Sequence, residues 1–137
     1  MLKLLNAEKL VEPILQFSRL HPVYGSCAGA ILLAQEVSHP TQPSLGLLDI
    51  EIERNAYGRQ VDSRIVKVSV ETEKENAQME AVFIRAPIIR RVGATVRTLA
   101  SYQGNSVWVE QGRHMVTTFH PELTSDLRVH RRFLEKS

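Results

Sequence analysis

The run Pro22-Val23-Tyr24-Gly25-Ser26-Cys27-Ala28-Gly29-Ala30-Ile31-Leu32-Leu33-Ala34 decides the fold. Two glycines flank Cys27 at equal distance, with apolar segments beyond them, as in a strand that enters a helix through a very tight bend. Such a bend has no room for side chains beside its central residue and thrusts that residue outward, the Gly-x-nucleophile-x-Gly elbow of hydrolases. The start of the following helix, with its positive dipole end and free N–H groups, is expected to favour thiolate over thiol. A lone cysteine also serves as a small buried hydrophobe. The spacing by itself leaves both roles open.

Length and composition narrow the setting. A chain of 137 residues makes one domain, 1–137, large enough for a core. Apolar content of 43% and charged content of 23% are those of an ordinary globular protein. A net charge of +2 gives no reason to expect nucleic acid or an anionic membrane as partner. One cysteine cannot close an internal disulfide, so a reducing, cytoplasmic setting is expected. The longest apolar stretch, beside Cys27, is too short to cross a bilayer. Scattered histidines and the lack of any Cys-x-x-Cys give no metal cluster, and no cofactor is expected.

Outward from the elbow, residues 1–20 carry apolar positions at helical spacing, with Asn6 as a cap for a second segment and Pro13 tolerable only in a first turn. The spacing predicts a short strand at Val23-Tyr24 and a buried helix over Ala28 to Val37, followed by a loop from Ser38 to Gly46. Leu48 to Glu53 alternates apolar and acidic residues, and Arg64 to Val70 alternates again, as half-wet strands do. Glu71 to Gln78 reads as a charged turn, and Ala81 to Ile84 as a strand stopped by Pro87. A hairpin turning at Gly104-Asn105 joins Thr95–Ala100 to Val107–Glu110, and Gly112-Arg113 turns into His114–Phe119. Ser125 or Asp126 then caps a last helix running to about Lys136. Helices interleaved with strands and a meander indicate α/β with an antiparallel portion.

A cysteine nucleophile needs a base, and the base an orienting partner. Of His21, His39, His114, His120 and His130, the best placed is His120, which ends a strand in Phe119-His120-Pro121-Glu122-Leu123. Pro121 holds His120 extended, and in an extended chain Glu122 projects to the same side as the imidazole. A surface His-Glu pair without chemistry has the same spacing, so the pair decides nothing alone.

The combination resembles a family. Gly25-Ser26-Cys27-Ala28-Gly29, Glu53-Arg54-Asn55, Gly58-Arg59-Gln60-Val61-Asp62-Ser63, Val82-Phe83-Ile84-Arg85-Ala86-Pro87 and Phe119-His120-Pro121-Glu122-Leu123-Thr124 occur in that order. Together they resemble the glutaminase subunit of pyridoxal 5′-phosphate synthase, a triad-type (class I) glutamine amidotransferase. The elbow and His-Pro-Glu are general to that class, whereas the arginine-containing strings are specific to the subfamily. The resemblance implies a flavodoxin-like three-layer sandwich with a mixed sheet. It implies Cys27, His120 and Glu122 as catalytic residues, and Arg54, Ile84 and Arg85 as contacts to L-glutamine, whose α-carboxylate suits the paired donors of a guanidinium. The Ala28 N–H would serve the oxyanion. A (β/α)₈-barrel synthase subunit would be the partner that receives ammonia.

The same resemblance implies an N-terminally truncated fold. Fewer residues precede Cys27 than the ~30 of a βαβ unit, and family members begin with some fifty more, roughly. That segment includes a Gly-Gly-Glu-Ser loop which helps bind glutamine and supplies a second oxyanion donor. Met1-Leu2-Lys3-Leu4-Leu5 resembles the family sequence directly after that loop. Two alternatives are therefore carried: an impaired module that only docks on the synthase, and another cysteine-triad hydrolase such as a γ-glutamyl peptidase.

Overall fold

The computed structural model describes residues 1–54, 63–71 and 77–136. The string from Asn55 to Asp62 and the centre of the charged turn, 72–76, lie outside the described residues. Two short helices come first, α1 (Leu2–Ala7) and α2 (Val11–Ser18), with Pro13 in the first turn of α2, where no N–H is needed. Asn6 caps nothing: it lies within α1, and Leu10 occupies the N-cap of α2. Strand β1 (Tyr24–Ser26) then leads into α3 (Ala28–Leu33).

The expected helix to Val37 stops at Leu33, and Ala34–Ser38 is a strand, β2. The apolar run from Ala28 to Val37 serves both elements. Ala30 and Leu33 are buried from the helix, Ala34 and Val37 from the strand, while Gln35 and Glu36 are exposed. Periodicity alone cannot divide so continuous an apolar run; the pairing of β2 with β3 (Leu48–Glu53) does. β3 fulfils its alternation, with Leu48, Ile50 and Ile52 buried and the acidic residues between them partly exposed.

The remaining strands are β4 (Ser63–Val70), β5 (Ala77–Ile84), β6 (Ile88–Val92), β7 (Arg97–Tyr102), β8 (Asn105–Gln111) and β9 (His114–Thr117). β6, directly after Pro87, carries no alternation that announces it. The hairpin between β7 and β8 turns at Gln103-Gly104, one residue earlier than expected. Both residues have positive φ (50° and 81°), as the right-handed twist of a two-residue loop demands. A single 3₁₀ turn, Pro121–Leu123, precedes the last helix, α4 (Arg128–Leu134). Asp126 accepts from the Arg128 N–H at 3.0 Å and so caps α4 from just outside it.

The strands form a six-stranded sheet of order β1-β9-β8-β7-β4-β5 and a three-stranded sheet of order β2-β3-β6. β1 runs parallel to β9, with Ser26 opposite Thr117, and β2 runs parallel to β3; the other pairs are antiparallel. Val109 and Val116 pack from the large sheet against Ile50, Ile52, Ile89 and Leu33. The opposite face buries Trp108, Met115 and Phe119 beneath Val129 and Phe133 of α4. α4 is further tied down by Glu110, which accepts from Arg132 at 2.5 Å and Lys136 at 2.7 Å. β1 ends the large sheet, with an apolar trough of about 460 Å³ beside it. No helix among the described residues is long and apolar enough to cross a membrane.

β1 and α3 meet closely because Gly25 has no side chain. A Cβ there would stand 2.5 Å from the carbonyl carbon and oxygen of Gly29. Gly25→Ala is therefore expected to lower the denaturant midpoint, at a cost of about 1–3 kcal/mol; an unchanged midpoint would show that the elbow yields freely. Burial pushes the Glu110 carboxyl up, but Arg132 and Lys136 outweigh it and hold it below its ordinary value. A carboxyl lowered on folding stabilises above its unfolded pKa, and that stabilisation disappears as pH falls through the folded value. Glu110→Gln should accordingly destabilise near neutrality by about 1–3 kcal/mol, with the gap to the unsubstituted chain closing in acid; a pH-independent gap would contradict the tether.

Candidate active site

Cys27 occupies the bend between β1 and α3 with φ 51° and ψ −105°, a conformation that costs a non-glycine residue on the order of 1–3 kcal/mol. Its backbone N–H donates to the Thr117 carbonyl at 2.9 Å, which extends the β1–β9 pairing one residue beyond the strand and fixes the bend. The side chain is thereby carried to the end of β5, where the thiol donates to the Ile84 carbonyl at 3.8 Å. The buried-hydrophobe role does not apply, since Cys27 is only partly buried. The expected thiolate preference is not met. Burial pushes the thiol up; the Ala28 N–H works the other way but does not prevail, and the Glu122 charge adds to the rise. α3 is short and Ala28 exposed, so little helix stands behind that N–H.

Strand β9 delivers the histidine. It ends at Thr117, three residues before His120, whose backbone N–H donates to the Val82 carbonyl at 2.9 Å. Val82 and Ile84 lie two residues apart on β5, about 7 Å along the strand, so one strand end receives both the thiol and the histidine backbone. His120 Nδ1 and the Glu122 Oε1 atom are 2.7 Å apart. The expected partnership thus holds, though by a different backbone: residues 121–123 wind into the 3₁₀ turn, and the carboxylate reaches the ring across that turn. With Glu122 accepting from Nδ1–H, the Nε2 lone pair is the one left to take a proton. The side chains of His120 and Glu122 are 24% and 49% exposed, so the pair opens to solvent.

The other histidines are engaged elsewhere. His21 stacks on Phe17 with ring centroids 4.4 Å apart, His39 lies 3.5 Å from Glu53, and His114 accepts the Val23 N–H at 3.2 Å. His130 sits within α4.

The arginines divide. Arg54 follows β3, is exposed, and donates to Gln42. With Ala28, Ile31 and Gln42 it lines a cleft of about 60 Å³ beside the elbow. Arg85 follows Ile84, is exposed, and carries a positive φ of 47°. Two of the strained non-glycine residues among those described, Cys27 and Arg85, therefore flank the thiol contact. Gln42 has no sequence signal: it lies in a proline-rich loop, and only the fold brings it to Arg54. The carbonyls of Val82 and Ile84 are equally unreadable in sequence, because backbone atoms carry no residue signature. Among the described residues, no cluster of His, Cys, Asp or Glu is suited to a metal ion.

This geometry puts a thiol on a strained bend and a histidine with a carboxylate partner at the end of one strand. The family model described as the SNO glutamine amidotransferase family matches residues 1–137. The pyridoxal 5′-phosphate synthase subunit PdxT of Solibacter usitatus is 59% identical over 140 residues, covering 99% of this chain and 73% of that protein. The protein of the same name from Desulforamulus reducens is 47% identical, covering 97% and 71%. A crystal structure of a glutamine amidotransferase superposes with a TM-score of 0.86 at 42% identity, over 98% of this chain and 71% of that one. The mixed-sheet α/β architecture expected from the motifs is thus the one observed. Matched by the family model from end to end, the chain belongs to the SNO glutamine amidotransferase family.

Proposed function

We propose that this chain hydrolyses L-glutamine to glutamate and ammonia through a thioester on Cys27, and that the ammonia passes to a (β/α)₈-barrel synthase subunit for pyridoxal 5′-phosphate synthesis. The observation that carries the proposal is the meeting at one strand end of a strained cysteine and a carboxylate-oriented histidine. The match to a glutamine amidotransferase family supports glutamine as the substrate, and identity of 59% to a pyridoxal 5′-phosphate synthase subunit supports the pathway over a γ-glutamyl peptidase.

The resting thiol is held protonated by burial and donates to the Ile84 carbonyl. The proton must therefore leave during attack rather than before it. His120 Nε2 takes it as Sγ bonds to the carboxamide carbon, and Glu122 stabilises the resulting imidazolium. The Ala28 N–H faces the developing oxyanion. His120 then returns the proton to the departing nitrogen, the C–N bond breaks, and ammonia leaves a glutamyl thioester. Water, deprotonated by His120, attacks that thioester, and collapse releases glutamate and restores the thiol. Arg54 and Arg85 are assigned to the α-carboxylate, and Ile84, whose carbonyl accepts from the thiol, to a contact with the bound glutamine.

Ammonia release from L-glutamine, measured with and without the synthase barrel, tests the proposal. Cys27→Ser should abolish release while leaving docking on the barrel intact; retained turnover would place the nucleophile elsewhere. His120→Asn should be about as damaging because triad members act as a unit, whereas Glu122→Gln should cost less. An unsubstituted chain that docks and releases no ammonia would favour the docking module instead. Alkylation of Cys27 in His120→Asn should rise only above the pH at which free cysteine reacts, as burial dictates; a midpoint at or below that of free cysteine would contradict the upward push of burial.

A further inference from the structure

We propose that Thr117 is the positioning residue that sets the nucleophile against its base, braced by the phenol of Tyr24. The inference rests on the assignment of Cys27 and His120 given above. Thr117 is fully buried at the end of β9 and touches both arms of the site. Its carbonyl accepts the Cys27 N–H at 2.9 Å, so it holds the strained bend. Its hydroxyl donates to the Phe119 carbonyl at 2.9 Å, and so holds the peptide that leads directly into His120.

A hydroxyl has one proton, and that of Thr117 is committed to Phe119. The 2.7 Å contact between Tyr24 and Thr117 is therefore donated by the phenol. A directed relay results, from Tyr24 through Thr117 to Phe119. It runs from the strand that ends in the nucleophile, through the adjacent strand, to the residue before the base. Tyr24 keeps its proton across the working range, its pKa pushed up to about 12, chiefly by burial. The relay links residues on both sides of the β1–β9 pairing at the point where regular pairing ends, with Ser26 opposite Thr117. Beyond that point, among the bonds described, the backbone N–H of Thr118 donates to the Val107 carbonyl and that of His120 to the Val82 carbonyl, each at 2.9 Å, and the Thr117 hydroxyl is the side chain that holds the peptide between them. Removing the hydroxyl releases the Phe119 carbonyl, and with it the direction of the peptide into His120, while leaving the backbone bonds of the elbow and of the arm in place.

The chain has a single cysteine, so the rate of alkylation by chloroacetamide reports on Cys27 alone. The rate is followed across pH in the full chain, and glutamine turnover is measured beside it with the synthase barrel. The unsubstituted chain should show a limb below the pH at which the thiol itself ionises, and that limb should disappear in His120→Asn, the signature of imidazole assistance. Thr117→Val, which keeps the shape and removes the hydroxyl, should lose the same limb. It should also lower kcat by between about ten- and a hundredfold, the scale of a displaced catalytic group, with KM little changed. Thr117→Ser, which restores the hydroxyl, should recover both. Should Thr117→Val fail to fold, Tyr24→Phe takes its place; loss of the limb supports the relay and an unaltered profile overturns it. If His120→Asn moves the profile and a folded Thr117→Val does not, the positioning role is wrong while the dyad stands. A profile indifferent to His120→Asn overturns the dyad itself, and the positioning role with it.

Discussion

The bend at Cys27 and the absence of a side chain at Gly25 together form the constraint on which the site depends. β1 passes so close to the first turn of α3 that a methyl group at Gly25 would overlap the Gly29 carbonyl. That approach forces the chain to reverse within a few residues, and the residue at the apex adopts a positive φ that only surrounding structure can maintain. The maintenance comes from β9: the Thr117 carbonyl holds the Cys27 N–H, and the hydrophobic layers on either side of β8 and β9 hold Thr117. Strain at the sulfur is thus supported by packing that extends through both cores.

The electrostatics separate a stored nucleophile from an active one. Burial and the Glu122 charge both favour the neutral thiol, and a neutral thiol is a poor nucleophile. In the mechanism proposed above, such a thiol reacts when a base withdraws its proton in step with attack. Glu122 touches both sides of the site: its carboxylate lies 2.7 Å from the Nδ1 atom of His120, and its charge raises the thiol.

Much of this was legible in the residue order because it rests on local rules. The elbow follows from glycine spacing, β3 from strict alternation, the tolerated Pro13 from its place in a first turn, and the His120–Glu122 pair from adjacency. The misreadings share a different cause. The division between α3 and β2 falls inside an unbroken apolar run, and it is set by the pairing of Ala34 with Leu48, distant in sequence. The hairpin turn shifted by one residue because Gln103, not Asn105, takes the second left-handed position beside Gly104. The thiolate expectation counted the helix start and could not count burial. The Tyr24–Thr117 contact spans 93 residues, and nothing in either residue announces it.

The central claim is that Cys27 forms a covalent bond to the γ-carbonyl carbon of glutamine. Acid quenching during turnover with L-glutamine and the synthase barrel, followed by mass spectrometry of the peptide holding Cys27, examines that bond directly. The account predicts a glutamyl thioester on Cys27 that disappears on treatment with hydroxylamine. Steady ammonia release with this peptide unmodified at every quench time, and with release undiminished in Cys27→Ser, would contradict it.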